Sequence, residues 1–255
     1  MIELYLGMSA GGWAVDGRTQ AWAAHDDAAL ALAHWARAIA QGHATRWRRA
    51  KVMLWLSGGL ARPFTCGPVD GLTSWAEAQA FAAAAAPDAT GFDGPCRVLF
   101  EDWPDAAPTL VTAIEQSLAD AVDMLPRTVR IDWLGVRPRW AAALGDVLRR
   151  RPEARIFALA EDDALTLLGG PAGAAGASSP VGHFDQAVTY WPAPTTEQAT
   201  ALWHRTMLSQ DVLADDAFFA RLGSVDGAPA DAGSPAANTR AAWPSIAGGI
   251  AGDDA

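Results

Sequence analysis

The sequence predicts an α/β fold built as two mixed-sheet lobes, and three observations carry that expectation. Segments with the two-residue period of strands alternate with segments of helical period along residues 2–210. Residues 127–170 hold both patterns in one stretch. There Val129, Ile131 and Trp133 alternate with Arg130 and Asp132, Trp140, Leu144, Val147 and Leu148 recur at helical spacing, and apolar runs at 156–160 and 165–168 flank the polar turn Glu161-Asp162-Asp163. A loop-like composition at residues 87–96 separates the two halves, which gives lobes of 1–95 and 96–222.

Residues 2–7 alternate as a strand, Gly11-Gly12 offers a turn, and short strands follow around 13–15 and 19–24. Asp26 or Asp27 caps a helix whose inner face is Ala28, Leu32, Trp35, Ala36 and Ile39, with Gly42 just past its end. The unbroken apolar run 52–56 reads as a central strand, ended by Ser57-Gly58-Gly59. A further short strand at 60–64 is broken by Pro63. Ser74 and Glu77 have capping-box spacing, and the helix they open runs to about Ala86 with Trp75, Ala78, Phe81 and Ala85 inward. Residues 98–103 form a strand. Leu110, Ile114, Leu118, Val122 and Leu125 then share one face of a long helix over 110–125 that Pro126 ends, and Pro138 suits the first turn of the next helix.

After the hairpin, residues 169–182 form a flexible excursion of Gly, Ala, Ser and Pro, and 187–191 return as a strand. Thr195 starts one more helix with Ala199, Leu202, Trp203 and Met207 inward, and further helical turns reach Leu222. Residues 223–255 carry too little apolar surface to offset ordering entropy and are expected to be disordered.

The net charge is −10, and from residue 211 onward seven acidic residues stand against Arg221 and Arg240, so about half the excess lies in the tail. Such a charge argues against duplex nucleic acid as the main partner. Cys66 and Cys96 lack metal-ligand spacing and read as buried thiols in a reducing compartment. No apolar run reaches the roughly 18 residues that a membrane span needs, and Glu3 stands where an export signal carries cations. The expected location is the cytoplasm, without membrane insertion.

Four groups of residues are chemical candidates. Gly7, Ser9, Gly11 and Gly12 follow a strand, where backbone amides can cradle a phosphate; the competing reading is a plain hairpin turn, since neither nucleotide-binding glycine pattern is matched. Glu161 and Asp163, with Asp162 between them and Glu101 and Asp102 at another strand end, are the candidate Mg²⁺ ligands; acids in turns otherwise serve only to meet solvent. Ser57 ends a buried strand as a hydrolase nucleophile does, but Trp55 stands where the nucleophile elbow needs Gly, and none of the five His residues has a motif around it. Arg46, Arg48, Arg49 and Lys51 around Trp47 can follow a single-stranded nucleic acid; the competing account is that cations at helix ends complement the dipole.

In the order of its segments the chain resembles the actin-like cytoplasmic platform proteins of type IV pilus and type II secretion machines, in a shortened form. The segments that carry the resemblance are LYLGMSAGGWAVDG, RWRRAKVMLWLSGGLARPF, LVTAIEQSLADAVDMLPRTVRIDWLGVRPRWAAAL and ARIFALAEDDALTLLGG. The resemblance implies two lobes of actin-like (ribonuclease-H-like) type and a cytoplasmic scaffold. Its partner would be a short segment of an inner-membrane protein, and its exposed Trp residues would offer a surface for a homodimer. Nucleotide-binding relatives carry an acid before the glycine of the first hairpin and glycines in the second. Here the first hairpin reads GMSAGG and the second carries Glu161, Asp162 and Asp163, so no cofactor is expected, ATP with Mg²⁺ being the one in question. The competing class is an enzyme on the same fold, a nucleotide-dependent phosphotransferase or metal-dependent nuclease using Glu3, Asp16, Glu161 and Asp163.

Overall fold

A computed structural model describes residues 1–67, 71–100, 108–150, 155–161, 163–170, 184, 186–191, 198, 201, 202, 204, 205 and 217–221. The expected strand end at 101–103, residues 171–182 of the excursion expected at 169–182 and the tail at 223–255 lie outside them; Gly169 and Gly170, at the expected start of the excursion, are described and buried.

The chain opens with β1 (Ile2–Leu6), β2 (Ala10–Val15) and β3 (Arg18–Ala24), then α1 (Ala28–His43), β4 (Ala50–Leu56) and β5 (Ala61–Cys66). There follow α2 (Trp75–Thr90), β6 (Cys96–Phe100), β7 (Thr109–Glu115), α3 (Gln116–Thr128), β8 (Ile131–Pro138) and α4 (Arg139–Arg150). The last described strands are β9 (Ile156–Ala160), β10 (Leu165–Gly169), β11 (Gln186–Tyr190) and β12 (Ala217–Arg221).

The first sheet has the order β3-β2-β1-β4-β8, in which β1, β4 and β8 run parallel and β2 and β3 return antiparallel. One face of it carries Leu4, Leu6, Val52, Leu54 and Leu56 into a core with α1 and α3. Burial of each such side chain stabilises the fold by about 1.5–3 kcal/mol. Asp27 caps α1 by accepting from the Leu30 amide at 2.9 Å, and Leu32, Trp35, Ala36 and Ile39 form its buried face as expected, joined by Ala31, while Ala28 packs partly buried against the same core.

The second sheet has the order β11-β10-β9-β12, with β9, β10 and β11 antiparallel in turn and β12 parallel to β9. It repeats the first four strands of the first sheet, strand for strand and direction for direction. Helical residues 201, 202, 204 and 205 fall between its third and fourth strands, as α1 does in the first. Leu202 packs there on Ala158, Leu165 and Leu167. Where the sequence suggested helical turns reaching Leu222, the chain forms β12, because pairing with β9 satisfies its backbone and completes this repeat.

Between β4 and α3 stands a third, antiparallel sheet of order β5-β7-β6, covered by α2. It changes three expectations. Residues 109–115 are the central strand β7 and not the first turns of a helix, since Val111, Thr112 and Ile114 are β-branched and both faces are buried. Pro63 sits inside β5, tolerated because β5 is an edge strand in this sheet. The buried face of α2 is Ala78, Ala82, Ala86 and Thr90, while Trp75 and Phe81 are exposed; small side chains let the helix lie close to Phe64 and Phe92. Its capping box is present, but the helix continues through Pro87 to Thr90 and ends on the left-handed Gly91.

The seam placed at 95/96 does not follow the sheets. It separates α2 and β5 from β6 and β7, with which they share a core, and it assigns β8 to the second lobe although β8 pairs with β4 in the first. Local periodicity identifies β8 as a strand but carries no information on which sheet it joins. Cys66 and Cys96 are buried free thiols, as expected, and burial pushes both up from the ordinary thiol range.

Glu3 gives a testable pH dependence. It is buried on the sheet face opposite α1, beside Trp55, whose indole N–H points to its carboxylate at 3.4 Å. Burial raises its pKa above the ordinary 4.5, the Trp55 contact acting in the other direction. The folded state therefore holds this proton more tightly than the unfolded state, so the group's burden on stability is full at pH 7 and relieved as pH falls through the folded-state value. Glu3→Gln is expected to stabilise the protein at pH 7 by about 0.5–2 kcal/mol, and the advantage should vanish below the unfolded-state value. Urea denaturation at the two pH values checks it; an advantage independent of pH contradicts this account.

Candidate functional site: the junction of the two hairpins

The repeated topology brings the β1–β2 turn, the end of β4 and the β9–β10 turn together. Gly7 turns the chain by donating to the Ala10 carbonyl at 2.8 Å, which leaves the next amide, that of Met8, directed outward. It donates to Asp163 Oδ2 at 2.6 Å. At the end of β4, Ser57 donates to the Leu6 carbonyl at 2.9 Å and accepts from the Leu60 and Ala61 amides, so the chain bends sharply and presents the Gly58 amide. That amide donates to Glu161 Oε2 at 2.5 Å. Both contacts join residues more than a hundred positions apart, and both are charge-assisted bonds to backbone donors, the stronger class of hydrogen bond.

The glycines at this junction are required by close approach. A Cβ on Gly7 would stand 2.7 Å from Asp163 Oδ2, and one on Gly58 would stand 2.8 Å from Glu161 Oε2 and 2.7 Å from Thr166 Oγ1. Gly7 of the first hairpin, Gly58 after β4 and the acids of the second hairpin are thus complementary parts of one seal.

The other sequence candidates fall elsewhere. Gly11 and Gly12 lie within β2, paired with β1 and β3, and a Cβ on Gly12 would overlap the Ala21 carbonyl and the Trp22 ring; their role is strand packing. The Ser9 carbonyl accepts from the His25 amide at 2.8 Å, tying the turn to the end of β3. Asp16 sits in the exposed β2–β3 turn and pairs with the N-terminal amine at the far end of β1, and Glu3 faces Trp55. Glu3 and Asp16 therefore do not converge with Glu161 and Asp163. Among the described residues no cluster of three His, Cys, Asp or Glu is placed to hold a metal ion; Asp162, Glu101 and Asp102 lie outside them. Ser57 has no exposed surface, so a substrate does not reach it.

Sequence reasoning passed over Arg62. It is buried in β5, with Nε donating to the Gly59 carbonyl and Nη1 to the Thr90 carbonyl, each at 2.8 Å. Its guanidinium lies 3.9 Å from the Phe92 ring centroid and 3.1 Å from that of Trp191. Burial brings its pKa down to about 10, with Glu115, Cys96 and Asp93 acting in the other direction. This side chain ties the three-stranded sheet to the segment after β11. A lone cation in the otherwise apolar run 60–64 was the available signal.

No protein-family model and no curated protein matches the chain. Among solved structures, it is similar to a protein of Bacteroides thetaiotaomicron with an actin-like ATPase fold and unknown function, at 9% identity and a TM-score of 0.51, over 88% of this chain and 83% of that one. The chain has the actin-like fold. Two weaker likenesses are to the PilM–PilN type IV pilus biogenesis complex (15% identity, TM-score 0.42, 81% of this chain and 65% of that one) and to the cytoplasmic domain of EpsL, an inner-membrane component of the type II secretion system of Vibrio cholerae (13%, 0.41, 74% and 70%). Among the described residues no helix is long and apolar enough to cross a membrane.

Proposed function

We propose that this protein is a non-catalytic scaffold on the actin-like fold, working in the cytoplasm by binding a peptide or domain of a membrane-associated assembly. The observation that carries the reading is the seal at the hairpin junction. In an actin-like fold a nucleotide's phosphates would lie at this junction and accept backbone amides there. Here the Met8 and Gly58 amides donate instead to the chain's own Asp163 and Glu161. A phosphate approaching this place meets carboxylates in poorly screened surroundings, where like charges repel far more than in water. On this reading the amides that a nucleotide's phosphates would use are already taken, and no nucleotide is part of the working protein.

The pilus and secretion setting follows from the resemblance of the hairpin and lobe segments to platform proteins of those machines, and it supplies the partner class: a short segment of an inner-membrane protein. Self-association belongs to the same reading, with the exposed Trp75 as an anchor.

Isothermal titration calorimetry with ATP and Mg²⁺ is expected to show no binding at millimolar nucleotide, while pull-downs against the products of neighbouring genes recover a membrane-associated partner. Micromolar ATP binding abolished by Asp163→Ala overturns the scaffold reading in favour of the phosphotransferase or nuclease. Failure of every pull-down removes the partner class.

A further inference from the structure

The end of the first sheet opposite the sealed junction is built differently. Because β1, β4 and β8 are parallel, their C-terminal ends lie toward the junction and their starts lie together at the other end, where Met1, Lys51 and Arg130 stand. Two cavities open there. One, of about 530 Å³, is lined by Arg37, Arg46 and Arg130 together with Gln41, Thr45 and Thr128. The other, of about 490 Å³, is lined by His43, Arg48, Arg49, Lys51 and Leu134. None of the described lining residues of either is acidic, in a chain whose net charge is −10.

Two of these cations have structural work. Arg49 donates to the Val129 and Ile131 carbonyls and pairs with Asp132 at 2.7 Å, which holds the α3–β8 turn. Arg130 donates to the Arg46 carbonyl at 2.6 Å and so fixes the loop between the cavities. Capping of helix ends explains part of the remaining charge. It does not explain Trp47, which stands 86% exposed on that loop with the Arg46 guanidinium 4.9 Å from its ring, or the exposed Leu134 at 49%. Exposed Trp beside Arg is the composition of an interface centre.

We infer that this end of the first sheet is a docking site for an acidic, partly apolar peptide segment of another protein. Carboxylate side chains would enter the cavities to meet Arg37, Arg130, Arg48 and Lys51, and an apolar residue would pack on Trp47. Cations without acids among the described lining residues, beside the exposed Trp47 ring, suit a peptide that carries both carboxylates and apolar side chains. The overall negative charge and the single exposed ring disfavour a polyphosphate strand. The site lies away from the hairpin junction, so the inference stands whether or not the scaffold reading does.

Fluorescence anisotropy tests it with a fluorescein-labelled synthetic peptide in which glutamate alternates with leucine, and the same peptide with glutamine in place of glutamate. The glutamate peptide is expected to bind in the micromolar range and to weaken as salt is raised. Arg37→Glu and Arg130→Glu should each weaken it about tenfold or more, as loss of a charge-assisted contact does, and Trp47→Ala should weaken both the binding and its apolar selectivity. Arg37 is exposed and has a simple helical backbone, so it serves if Arg130→Glu impairs folding. Arg205→Glu, on the helical segment of the second sheet, should leave binding unchanged. Equal binding of the two peptides, equal loss with Arg205→Glu, or tighter retention by phosphatidylglycerol vesicles or a single-stranded oligonucleotide than by the peptide overturns the inference. A positive ATP titration would sink the scaffold reading and leave this result untouched.

Discussion

Arg62→Leu is expected to lower the unfolding free energy by about 2–4 kcal/mol, one of the two largest effects of any substitution considered for this chain. The substitution leaves the Gly59 and Thr90 carbonyls without their donor and removes the cation from between Phe92 and Trp191. Each abandoned buried acceptor costs about 1–3 kcal/mol, and each desolvated cation–ring contact is worth about 0.5–2 kcal/mol. Against these stands the cost of burying the charge, visible in a pKa brought down to about 10, and leucine is relieved of it. The acceptors and rings outweigh that relief because four groups depend on one planar fork. Arg62→Lys keeps the charge but cannot bond both carbonyls while stacking on two rings, so it should recover only part of the loss. Guanidinium denaturation of the two variants checks this. A loss under about 1 kcal/mol for leucine would mean that the stack forms without stabilising the fold.

How far the sequence disclosed this fold is seen in the same region. The hairpins, α1 with its Asp27 cap and the Ser74–Glu77 capping box were legible because each depends on residues a few positions apart. The helix expected over residues 110–125 failed at its first half for a physical reason. Leu110 and Ile114 have helical spacing, but residues 109–114 are buried throughout, and such a run has no periodicity to separate strand from helix. Its identity is settled by β5 and β6 pairing on either side, which is long-range information. The placement of β8 failed likewise, since its partner Ala50–Leu56 lies across the whole three-stranded insertion.

The candidate site divides the same way. Gly7 and the acids Glu161 and Asp163 were visible as unusual hairpin residues, and their degenerate pattern already argued against a phosphate. That the carboxylates bond Met8 and Gly58 was not visible, because nothing in either hairpin names the other.

The double substitution Glu161→Ala with Asp163→Ala is expected to open the junction. Both alanines remove acceptors from the Met8 and Gly58 amides. An unpaired buried donor costs about 1–3 kcal/mol, so the pair should cost about 2–4 kcal/mol, less than additive because the two hairpins would part together. Amide exchange localises the effect: Met8 and Gly58 should exchange at least about tenfold faster than in the native protein, as each 1.4 kcal/mol of protection lost implies. The isosteric pair Glu161→Gln with Asp163→Asn keeps an acceptor oxygen at each place and removes only the charge, so its exchange should fall between the native protein and the alanine variant. If the seal stands in for phosphate, the alanine variant, with two amides released and two negative charges removed, should gain weak affinity for inorganic phosphate that the native chain lacks. Native exchange rates in the alanine variant would show that the hairpins are held together without these carboxylates, and would withdraw the structural basis for treating the junction as closed to nucleotide.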